Sequence, residues 1–565
     1  MSTESALLRA VRDNPDDDTV RLVYADYLEE QGDTDRAEFI RTQVALANTR
    51  ESDSARRPLE DREHELLAAN EHRWMGDLGG ADGLVEWEFR RGFVHELAAT
   101  PGFMLNEGVA LCAVNPVRRW RVQSSQQDMK EDLCEAGTRS WFARLDAVDL
   151  SGWYSTIGEL ERFLTRSDFA HLRELDLTDR PGLDDLPGIL ERTAFRDRLK
   201  TLRVGGRYPG DAGQLDADLL SHHLAPSRLG ELAVPGCLLA AQDVRQLLVS
   251  PCCRDLESLD VRDNQLEPDG WDAFRNAACR LRELDLSGTP LGAFSLADIL
   301  RQESLAELRV LHLNRCGSAM ANIRALAESR YWTQAEELRL QHGTIPEHSL
   351  DPLFASDGPP GLRVLDVSEN YFRDAGVTRL CGANWAGSLE WLGLSRNYLT
   401  DDALRRIASC ERFARLRTLH LSGNNNYEQE GAAFEDRVTD AGVRALAESP
   451  HLANLRLLSV SGTDVTGAGL FAILRGPYWR LEGLGLAECP IDAHDIKVLA
   501  ESPALARLGW LDLSNDSHRL SGDALMLLAE SEYLSPRCEL DVRGCYADES
   551  TLSALRERLG RRLSE

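Results

Sequence analysis

A six-residue block recurs along this chain at a nearly constant spacing. Leu172-Arg-Glu-Leu175-Asp-Leu177 returns as Leu281-Arg-Glu-Leu284-Asp-Leu286. Related blocks begin at Leu145, Leu199, Leu229, Leu256, Leu308, Ala335, Leu362, Leu389, Leu416, Leu455, Leu481, Leu508 and Arg537, and nine of the fourteen intervals are 27 residues. A fixed period of this length predicts an array of stacked units, because a single unit of 27 residues cannot bury its own apolar edge.

Each block reads as a short strand followed by a turn and a helix. The last two apolar residues of a block alternate with polar ones, which predicts a strand with one buried and one solvated side. Three residues further on lies a side chain that can bind backbone groups of the turn. These turn residues are Asn264, Asn370, Asn397 and Asn424; Cys237, Cys316, Cys489 and Cys545; and Thr289 and Thr463. The helix that follows is clearest after Thr400, an N-cap residue ahead of apolar residues at helical spacing.

This pattern resembles the ribonuclease-inhibitor class of leucine-rich repeats over roughly residues 92–565. The resemblance implies an α/β solenoid, a horseshoe with a concave parallel β-sheet and outer helices. Inhibitors of basic nucleases and activators of small GTPases both belong to that class. The fold therefore does not choose between these functions.

The first fifty residues do not share the repeat. Leu7, Leu8 and Val11 predict a first helix that ends at Asn14-Pro15. Three aspartates then cap a second helix, 16–32, and a third helix comes after it. Asp26 lies among apolar neighbours in the second helix, and we expect Arg36 or Arg41 on the next helix to pair with it. Three short helices make a marginal core, so we expect the module to pack against the segment C-terminal to it.

The string Arg21-Leu-Val-Tyr-Ala-Asp-Tyr-Leu-Glu-Glu-Gln-Gly32, followed by Arg36-Ala-Glu-Phe-Ile-Arg-Thr-Gln43, resembles the repeat-companion domain of planctomycete-type bacterial proteins. The resemblance implies a bacterial origin and supplies no chemistry. The predicted organisation is thus a helical module over 1–50, a helical connecting segment over 51–91, and leucine-rich repeats over 92–565.

The charge balance limits the choice of partner. Lysine and arginine number 64 and aspartate and glutamate 93, which gives a net charge of −29. Such a chain repels phosphate backbones, so we expect no nucleic-acid partner, and a basic protein is easier to accommodate. The beginning of the chain lacks an apolar signal segment, and no stretch is apolar enough for a membrane span. We therefore expect a cytoplasmic protein with free cysteine thiols and no membrane partner.

Motifs of catalysis and cofactor binding are missing from the sequence. It contains no P-loop, no dinucleotide fingerprint after a strand, no H-E-x-x-H and no G-x-S-x-G. We expect no enzyme, no cofactor and no metal. The alternative to a passive binding scaffold is a regulator of another enzyme, such as a nuclease inhibitor or a GTPase-activating protein. A GTPase activator would need an exposed arginine, and the candidates are Arg262, Arg373 and Arg396.

Acidic residues recur on the solvated side of the predicted strands. They are Asp149, Asp176, Asp260, Asp285, Asp366, Asp512 and Asp541, with Glu174, Glu231, Glu283, Glu337 and Glu539 beside them. Either aspartate is simply common at this place in the repeat, or the column steers a basic partner.

The neighbouring outward position changes character along the chain. Before Leu308 it holds small or acidic residues, whereas the C-terminal half carries Val364, Trp391, Leu457 and Trp510 there. The one long interval, 39 residues from Leu416 to Leu455, places an insertion in the same region. One interpretation is that the tryptophans pack on one another and that the insertion is a tolerated surface loop. The other, which we expect, is a protein-binding surface centred on the apolar residues, with acidic rims and a contacting loop. Its candidate residues are Val364, Asp366, Trp391, Tyr427, Phe434, Leu457, Trp510 and Asp512.

Overall fold

The computed structural model describes residues 3–49, 56–123, 141–153, 155–166, 169, 171–180, 185–206, 215–266, 274, 277, 279–291, 295–316, 320–329, 332–355, 358–425, 437–476, 481–514, 520–535 and 538–565. By its internal contacts the chain divides into two compact units. Unit 1 comprises residues 1–265 and 276–279, and unit 2 comprises residues 266–275 and 280–565.

Unit 1 begins with helices and continues into parallel strands. Its helices are α1 (Thr3–Asp13), α2 (Asp18–Glu30), α3 (Thr34–Asn48), α4 (Arg56–Met75), α5 (Pro101–Asn106), α6 (Gly108–Val114), α7 (Ile157–Leu164), α8 (Leu186–Glu191), α9 (Ala217–His223) and α10 (Ala241–Val249). Its strands are β1 (Leu84–Arg90), β2 (Phe93–Ala99), β3 (Arg119–Gln123), β4 (Ala147–Gly152), β5 (Glu174–Thr178), β6 (Thr201–Gly205), β7 (Glu231–Ala233) and β8 (Ser258–Asp260). Strands β2 to β8 pair in parallel with their sequence neighbours.

The N-terminal helices share their core with the first hairpin of the sheet. Val11 of α1, Tyr24 of α2 and Ile40 of α3 are buried together with Phe93, the first residue of β2. Because an element outside the first fifty residues completes this cluster, the expectation that the module packs against the segment C-terminal to it is confirmed.

A strand lies where the sequence analysis expected only a helical connection. Residues 84–90 form β1, which pairs antiparallel with β2. The alternation from Glu86 to Phe89 carries this strand signal. The hairpin turns at Gly92, whose φ is +88° and whose added Cβ would lie 2.4 Å from Ile40 Cγ1. The tight turn therefore docks directly on α3, and the side chain of Gln43 accepts from the Gly92 amide and donates to the Phe89 carbonyl.

The ion pair expected at Asp26 is present, but in a different environment. Arg41 Nη2 lies 2.7 Å from Asp26 Oδ1 and 2.6 Å from Glu29 Oε2. The Asp26 side chain is 68% exposed, so Asp26 faces water and is paired at the same time. It lies on the solvated side of α2, where an exposed pair contributes little to stability.

Arg36, the other candidate partner of Asp26, is half-buried and makes different contacts. Its Nη2 donates to the Gly92 carbonyl at 2.6 Å, and its guanidinium carbon lies 4.6 Å from the ring centroid of Trp74 and 5.2 Å from that of Phe89. Burial lowers the pKa of Arg36 to about 10. Cation–π contacts thus compensate part of the cost of desolvating this arginine.

Unit 2 repeats one strand and one helix. Its strands are β9 (Glu283–Asp285), β10 (Val310–His312), β11 (Glu337–Arg339), β12 (Val364–Asp366), β13 (Trp391–Gly393), β14 (Thr418–His420), β15 (Leu457–Ser459), β16 (Gly483–Gly485), β17 (Trp510–Asp512), β18 (Glu539–Asp541) and β19 (Leu563–Ser564). Its helices are α11 (Ser295–Ile299), α12 (Met320–Glu328), α13 (Asp351–Ala355), α14 (Arg373–Gly382), α15 (Asp401–Ala408), α16 (Asp440–Ala447), α17 (Gly467–Arg475), α18 (Ala493–Ala500), α19 (Gly522–Glu530) and α20 (Glu549–Leu559). Each strand pairs in parallel with its sequence neighbour, and the middle leucine of each of β9 to β18 is buried.

The turn residues bind the backbone as the sequence predicts. The Asn424 amide donates to the carbonyls of Leu394 and Leu421 at 3.0 and 2.7 Å and accepts from the amides of Asn397 and Leu399. Thiols replace the amide elsewhere, and Cys316 Sγ donates to the Leu286 carbonyl at 3.1 Å. Thr289 departs from the pattern, since its buried hydroxyl has no hydrogen-bond partner within the described ranges. The turn column therefore joins neighbouring repeats through buried hydrogen bonds.

The helices are tied to one another at their N-termini. Thr400 caps α15, as predicted, by accepting from the Asp402 amide, and its hydroxyl donates to Asp374 Oδ2 of the preceding helix at 2.6 Å. The same bond recurs from Thr439 to Asp401 at 2.7 Å. Among the described residues, no helix has the length and apolar composition needed to cross a membrane.

Candidate functional site

The predicted apolar residues lie in one row on the solvated side of the unit 2 sheet. We call the first and third residues of each three-residue strand the strand face, because the middle residue is buried. The first positions of β12 to β17 are paired in register as Val364, Trp391, Thr418, Leu457, Gly483 and Trp510. Neighbouring strands therefore place these side chains next to one another, about 4.8 Å apart along the row.

Trp391 is held between two basic side chains. Its ring centroid lies 5.0 Å from that of His420, and the guanidinium carbon of Arg339 lies 5.2 Å from the Trp391 ring. The ring also covers Gly393, whose added Cβ would lie 2.8 Å from Trp391 Cη2. Trp391 is consequently half-buried, and part of its ring remains in contact with solvent.

Leu457 and Trp510 meet over a glycine. An added Cβ at Gly483 would lie 3.1 Å from Leu457 Cδ1 and 3.3 Å from Trp510 Cε3. Gly483 itself is buried, whereas Leu457 and Trp510 are half-buried. The missing side chain at Gly483 thus lets two strands that are not adjacent form one apolar surface.

The two aspartates of the candidate site differ in accessibility. Asp366 is only 1% exposed and accepts from the Ser368 amide and from Gln341 Nε2, so it is not an exposed rim residue. Asp512 is half-buried, and its Oδ1 accepts from the amide and hydroxyl of Ser514 at 3.0 and 2.8 Å.

Two other candidates, Tyr427 and Phe434, lie outside the described residues. Val364 is half-buried at one end of the apolar row, directly opposite Trp391.

A network of charged side chains lies on the strand face of β9 to β12. The sequence analysis did not predict it. His312 Nε2 lies 3.0 Å from Glu337 Oε1, and His312 Nδ1 lies 3.4 Å from Asp285 Oδ2. Arg339 Nε donates to Glu337 Oε1 at 2.6 Å, and its Nη1 lies 3.6 Å from Asp366. The signal was available, because Arg339 and His312 occupy the third strand position that also holds the predicted aspartates.

These contacts shift the pKa values of the members in opposite directions. Burial disfavours the charged form of His312, but the hydrogen bonds to Asp285 and Glu337 outweigh it and raise the pKa of His312 to about 9. The hydrogen bond from His312 lowers the pKa of Glu337 to about 2, with a further contribution from Arg339. His420 behaves differently, since burial lowers its pKa. His312 is thus cationic and His420 neutral at pH 7.

The acidic column is largely neutralised in unit 1. Arg203 of β6 lies 2.7 Å from Glu231 and 3.5 Å from Asp176 on the two neighbouring strands. Arg119 of β3 likewise pairs with Glu96 and Glu174. Arginines on the intervening strands therefore interrupt the acidic column in unit 1.

The three arginines proposed for the alternative function differ in their surroundings. Arg262 Nε lies 3.2 Å from Asp260, Arg396 is 70% exposed with Nη1 3.8 Å from Glu369, and Arg373 is exposed. In the part of the chain that the structure describes, no group of three or more histidine, cysteine, aspartate or glutamate side chains could hold a metal ion.

Comparisons with known proteins agree with the repeat. The family model described as Leucine Rich repeat matches residues 252–274. No curated protein matches the sequence. Among solved structures, an internalin from Listeria monocytogenes str. 4b F2365 is 20% identical with a TM-score of 0.35, over 60% of this chain and 87% of its own. The yeast Rad7 and Elc1 complex gives 19% identity and a TM-score of 0.41, over 76% of this chain and 96% of the matched chain. The TLR13–ssRNA13 complex is 17% identical with a TM-score of 0.34, over 76% of this chain and 63% of its own.

The matched segment contains Leu256, Leu259, Val261 and Asn264, which form β8 and its turn in the structure. The chain thus carries leucine-rich repeats, and each of its two units contains the parallel strands and helices of an α/β leucine-rich-repeat solenoid.

Proposed function

We propose that this chain is a non-catalytic protein-binding scaffold and that its partner binds the apolar row of unit 2, with Val364, Trp391, Leu457 and Trp510 as its centre. The observation that carries the proposal is the alignment of these half-buried apolar side chains on the strand face. Partly exposed apolar residues grouped in this way often mark interaction sites, and tryptophan is among the commonest residues at their energetic centre.

The row is also preorganised for binding. Arg339 and His420 hold the Trp391 ring on both sides, and Leu457 and Trp510 support each other over Gly483. Side chains that are already ordered lose little conformational entropy when a partner arrives. The apolar contact area is therefore available for affinity with a small ordering cost.

We further propose that the partner is a basic protein. The chain carries a net charge of −29, and Glu539, exposed on β18, lies in register with Trp510. Asp512 lies on the same strand as Trp510. Cations of the partner near Glu539 and Asp512 would accelerate association without adding much affinity. In the same proposal, the loop carrying Tyr427 and Phe434 contributes to the rim.

The organisation outside the site is part of the proposal. The residues quoted above support a repeat-companion-type module over 1–50, and the free thiols support a reducing compartment such as the cytoplasm. Neither nucleic acid nor a membrane is needed as a partner.

The experiment compares binding to partners captured with the full chain. Alanine at Trp391 and at Trp510 should each weaken affinity by about 30-fold, which corresponds to about 2 kcal/mol. Thr201→Ala and Ser258→Ala, at the same strand position in unit 1, are the matched controls and should leave affinity unchanged. Circular dichroism verifies that each variant is folded.

Varying the ionic strength distinguishes the proposed apolar contact from the proposed basic character of the partner. Association with a basic partner should slow as ionic strength rises, while the apolar contribution persists. A partner that binds the Trp391→Ala/Trp510→Ala double variant, and a variant lacking residues 426–436, as tightly as the parent chain would place the site elsewhere. A partner whose association rate ignores salt would contradict its basic character alone.

A further inference from the structure

Two cysteine thiols meet at the helix ends of neighbouring repeats. Cys381 lies in the last turn of α14, and Cys410 lies just after α15. Cys410 Sγ is 3.9 Å from the Cys381 carbonyl oxygen, which places the Cys410 thiol directly beside residue 381. Cys381 is partly exposed to solvent, whereas Cys410 is 7% exposed. Small oxidants and alkylating reagents can therefore reach this pair from the Cys381 side.

The turn cysteines are held differently. Cys316 and Cys489 are buried, and their thiols donate to backbone carbonyls at 3.1 and 3.2 Å. Burial raises the pKa of Cys316 to about 12 and that of Cys489 to about 11. By contrast, the Sγ of Cys381 lies 3.9 Å from the Arg406 carbonyl, which is a weak contact. The turn thiols form hydrogen bonds to the backbone, while the thiols of Cys381 and Cys410 make only long backbone contacts of 3.9 Å.

The surroundings of Cys410 favour its thiolate. The hydrogen bond from Cys381 lowers the pKa of Cys410, and the charge of Arg412 acts in the same direction. Arg412 is fixed nearby, since its Nε donates to the Cys381 carbonyl at 3.2 Å. The thiolate is the nucleophilic form of cysteine, and nearby arginines are typical of reactive thiols.

The consecutive pair Cys252 and Cys253 offers a natural comparison. Their sulfur atoms are 3.7 Å apart, but the two residues are only 1% and 0% exposed. Closeness is therefore common to both pairs, and of the two only Cys381–Cys410 is open to solvent.

We propose that Cys381 and Cys410 form a redox-active pair that hydrogen peroxide closes into a disulfide. The Cys410 thiolate attacks one peroxide oxygen, which breaks the O–O bond and gives a sulfenic acid and hydroxide; the hydroxide takes up a proton to become water. The Cys381 thiol then attacks the sulfenic sulfur, forms the S–S bond and expels the second oxygen as water. Overall, two thiols and one peroxide give one disulfide and two waters.

The disulfide would tie together the two repeats whose strands carry Val364 and Trp391. It would fix the ends of α14 and α15 and so restrain the spacing of these repeats. The oxidation chemistry does not depend on whether a partner binds there.

The test uses the reduced full-length chain, exposed to hydrogen peroxide, then alkylated and digested with trypsin. Cys381 lies in the peptide 380–396 and Cys410 in the peptide 407–412, so their crosslink has a distinctive mass. We expect this crosslink to appear at least about ten times faster than Cys316 or Cys489 loses its thiol, because the turn thiols are protonated and donate to backbone carbonyls, whereas Cys410 lies beside the partly exposed Cys381. Dithiothreitol should reverse it.

Matched variants make the result specific. Cys381→Ser and Cys410→Ser should each abolish the crosslink, whereas Cys316→Ser should retain it. Should a variant fail to fold, the parental chain still decides, because its peptides report every thiol separately. The proposal is overturned if both thiols remain free when the turn thiols have reacted, or if Cys252–Cys253 closes first.

Discussion

The strand faces of the two units are built from different chemistry on the same scaffold. In unit 1, Arg203 bridges acidic residues on its two neighbouring strands, and Arg119 of β3 bridges Glu96 of β2 and Glu174 of β5. In unit 2 the charges are confined to β9 to β12 and to the last strands, and β12 to β17 carry the apolar row. The strands, turns and buried leucines of both units are nevertheless alike.

This difference shows that the repeat fixes the scaffold and leaves the strand face free to vary. Ion pairs on a surface contribute little to stability, and the half-buried apolar row leaves part of its hydrophobic area in contact with water. Neither arrangement is needed to hold the fold. In the proposed function, the apolar row of unit 2 serves binding rather than folding.

The largest expected effect tests whether the two units share one scaffold. Asn264 in unit 1 and Asn424 in unit 2 are both buried, and each amide donates to carbonyls of its own and the preceding repeat. Alanine at either site leaves buried backbone groups without hydrogen-bond partners. The free energy of unfolding should therefore fall by about 3 kcal/mol in both variants. Urea denaturation measures it.

The control for that prediction lies in the same turn column. Cys237→Ala removes two long thiol contacts, 3.5 Å from the Val204 carbonyl and 3.6 Å from the Pro235 carbonyl, and should cost clearly less than Asn264→Ala. A loss at Asn424 much smaller than that at Asn264 would show that the two units are not built on equivalent turns.

The charged contacts of His312 on the strand face of unit 2 should make the free energy of unfolding depend on pH. The pKa of His312 is raised to about 9, so the stability it contributes is present below about 6.5 and is lost as pH rises through 9. In the parent we expect the free energy of unfolding to fall by on the order of 1–3 kcal/mol over this pH range. His312→Gln should not show this fall. Unfolding curves from pH 6 to 10 measure it.

NMR titration of the imidazole gives an independent reading of the same contacts. His312 should titrate near pH 9 and shift towards 6.5 when Glu337 is replaced by glutamine. His420 is the internal control, because burial lowers its pKa and it should stay neutral throughout this range. A His312 that titrates near 6.5 in the parent would break the distinction between the two histidines.

The smallest effect belongs to the ion pairs of unit 1. Arg203→Ala removes contacts to Asp176 and Glu231 that are partly exposed, so the free energy of unfolding should change by no more than about 1 kcal/mol. High salt should reduce the difference further. A larger, salt-independent loss would mean that the strand face of unit 1 is structural, and the comparison between the units would have to be redrawn.

Much of the fold could be predicted from the sequence because the repeat encodes it locally. The period, the buried leucines, the Thr400 cap and the hydrogen-bonding role of Asn424 all depend on neighbours at a fixed offset along the chain. The hairpin strand β1 was missed although Glu86 to Phe89 alternates. The two-residue period there is short beside the helical segment that precedes it.

The candidate site could be predicted only in part. Alternation placed Trp391, Leu457 and Trp510 on one side of the sheet, since this follows from the strand period alone. It could not reveal that Arg339 and His420 enclose Trp391, or that Asp366 is buried, because those contacts depend on side-chain directions across several strands.

The sequence by itself determined the repeat, the parallel strands and which residues share the strand face, since each follows from spacing along the chain. Only the tertiary structure decided how exposed those residues are and which charges meet. Arg36 and Arg41 illustrate the reason: both were plausible partners of Asp26, yet the turn at Gly92 draws Arg36 into an aromatic enclosure. Packing between distant segments sets solvent access, and solvent access sets the strength of every charge interaction.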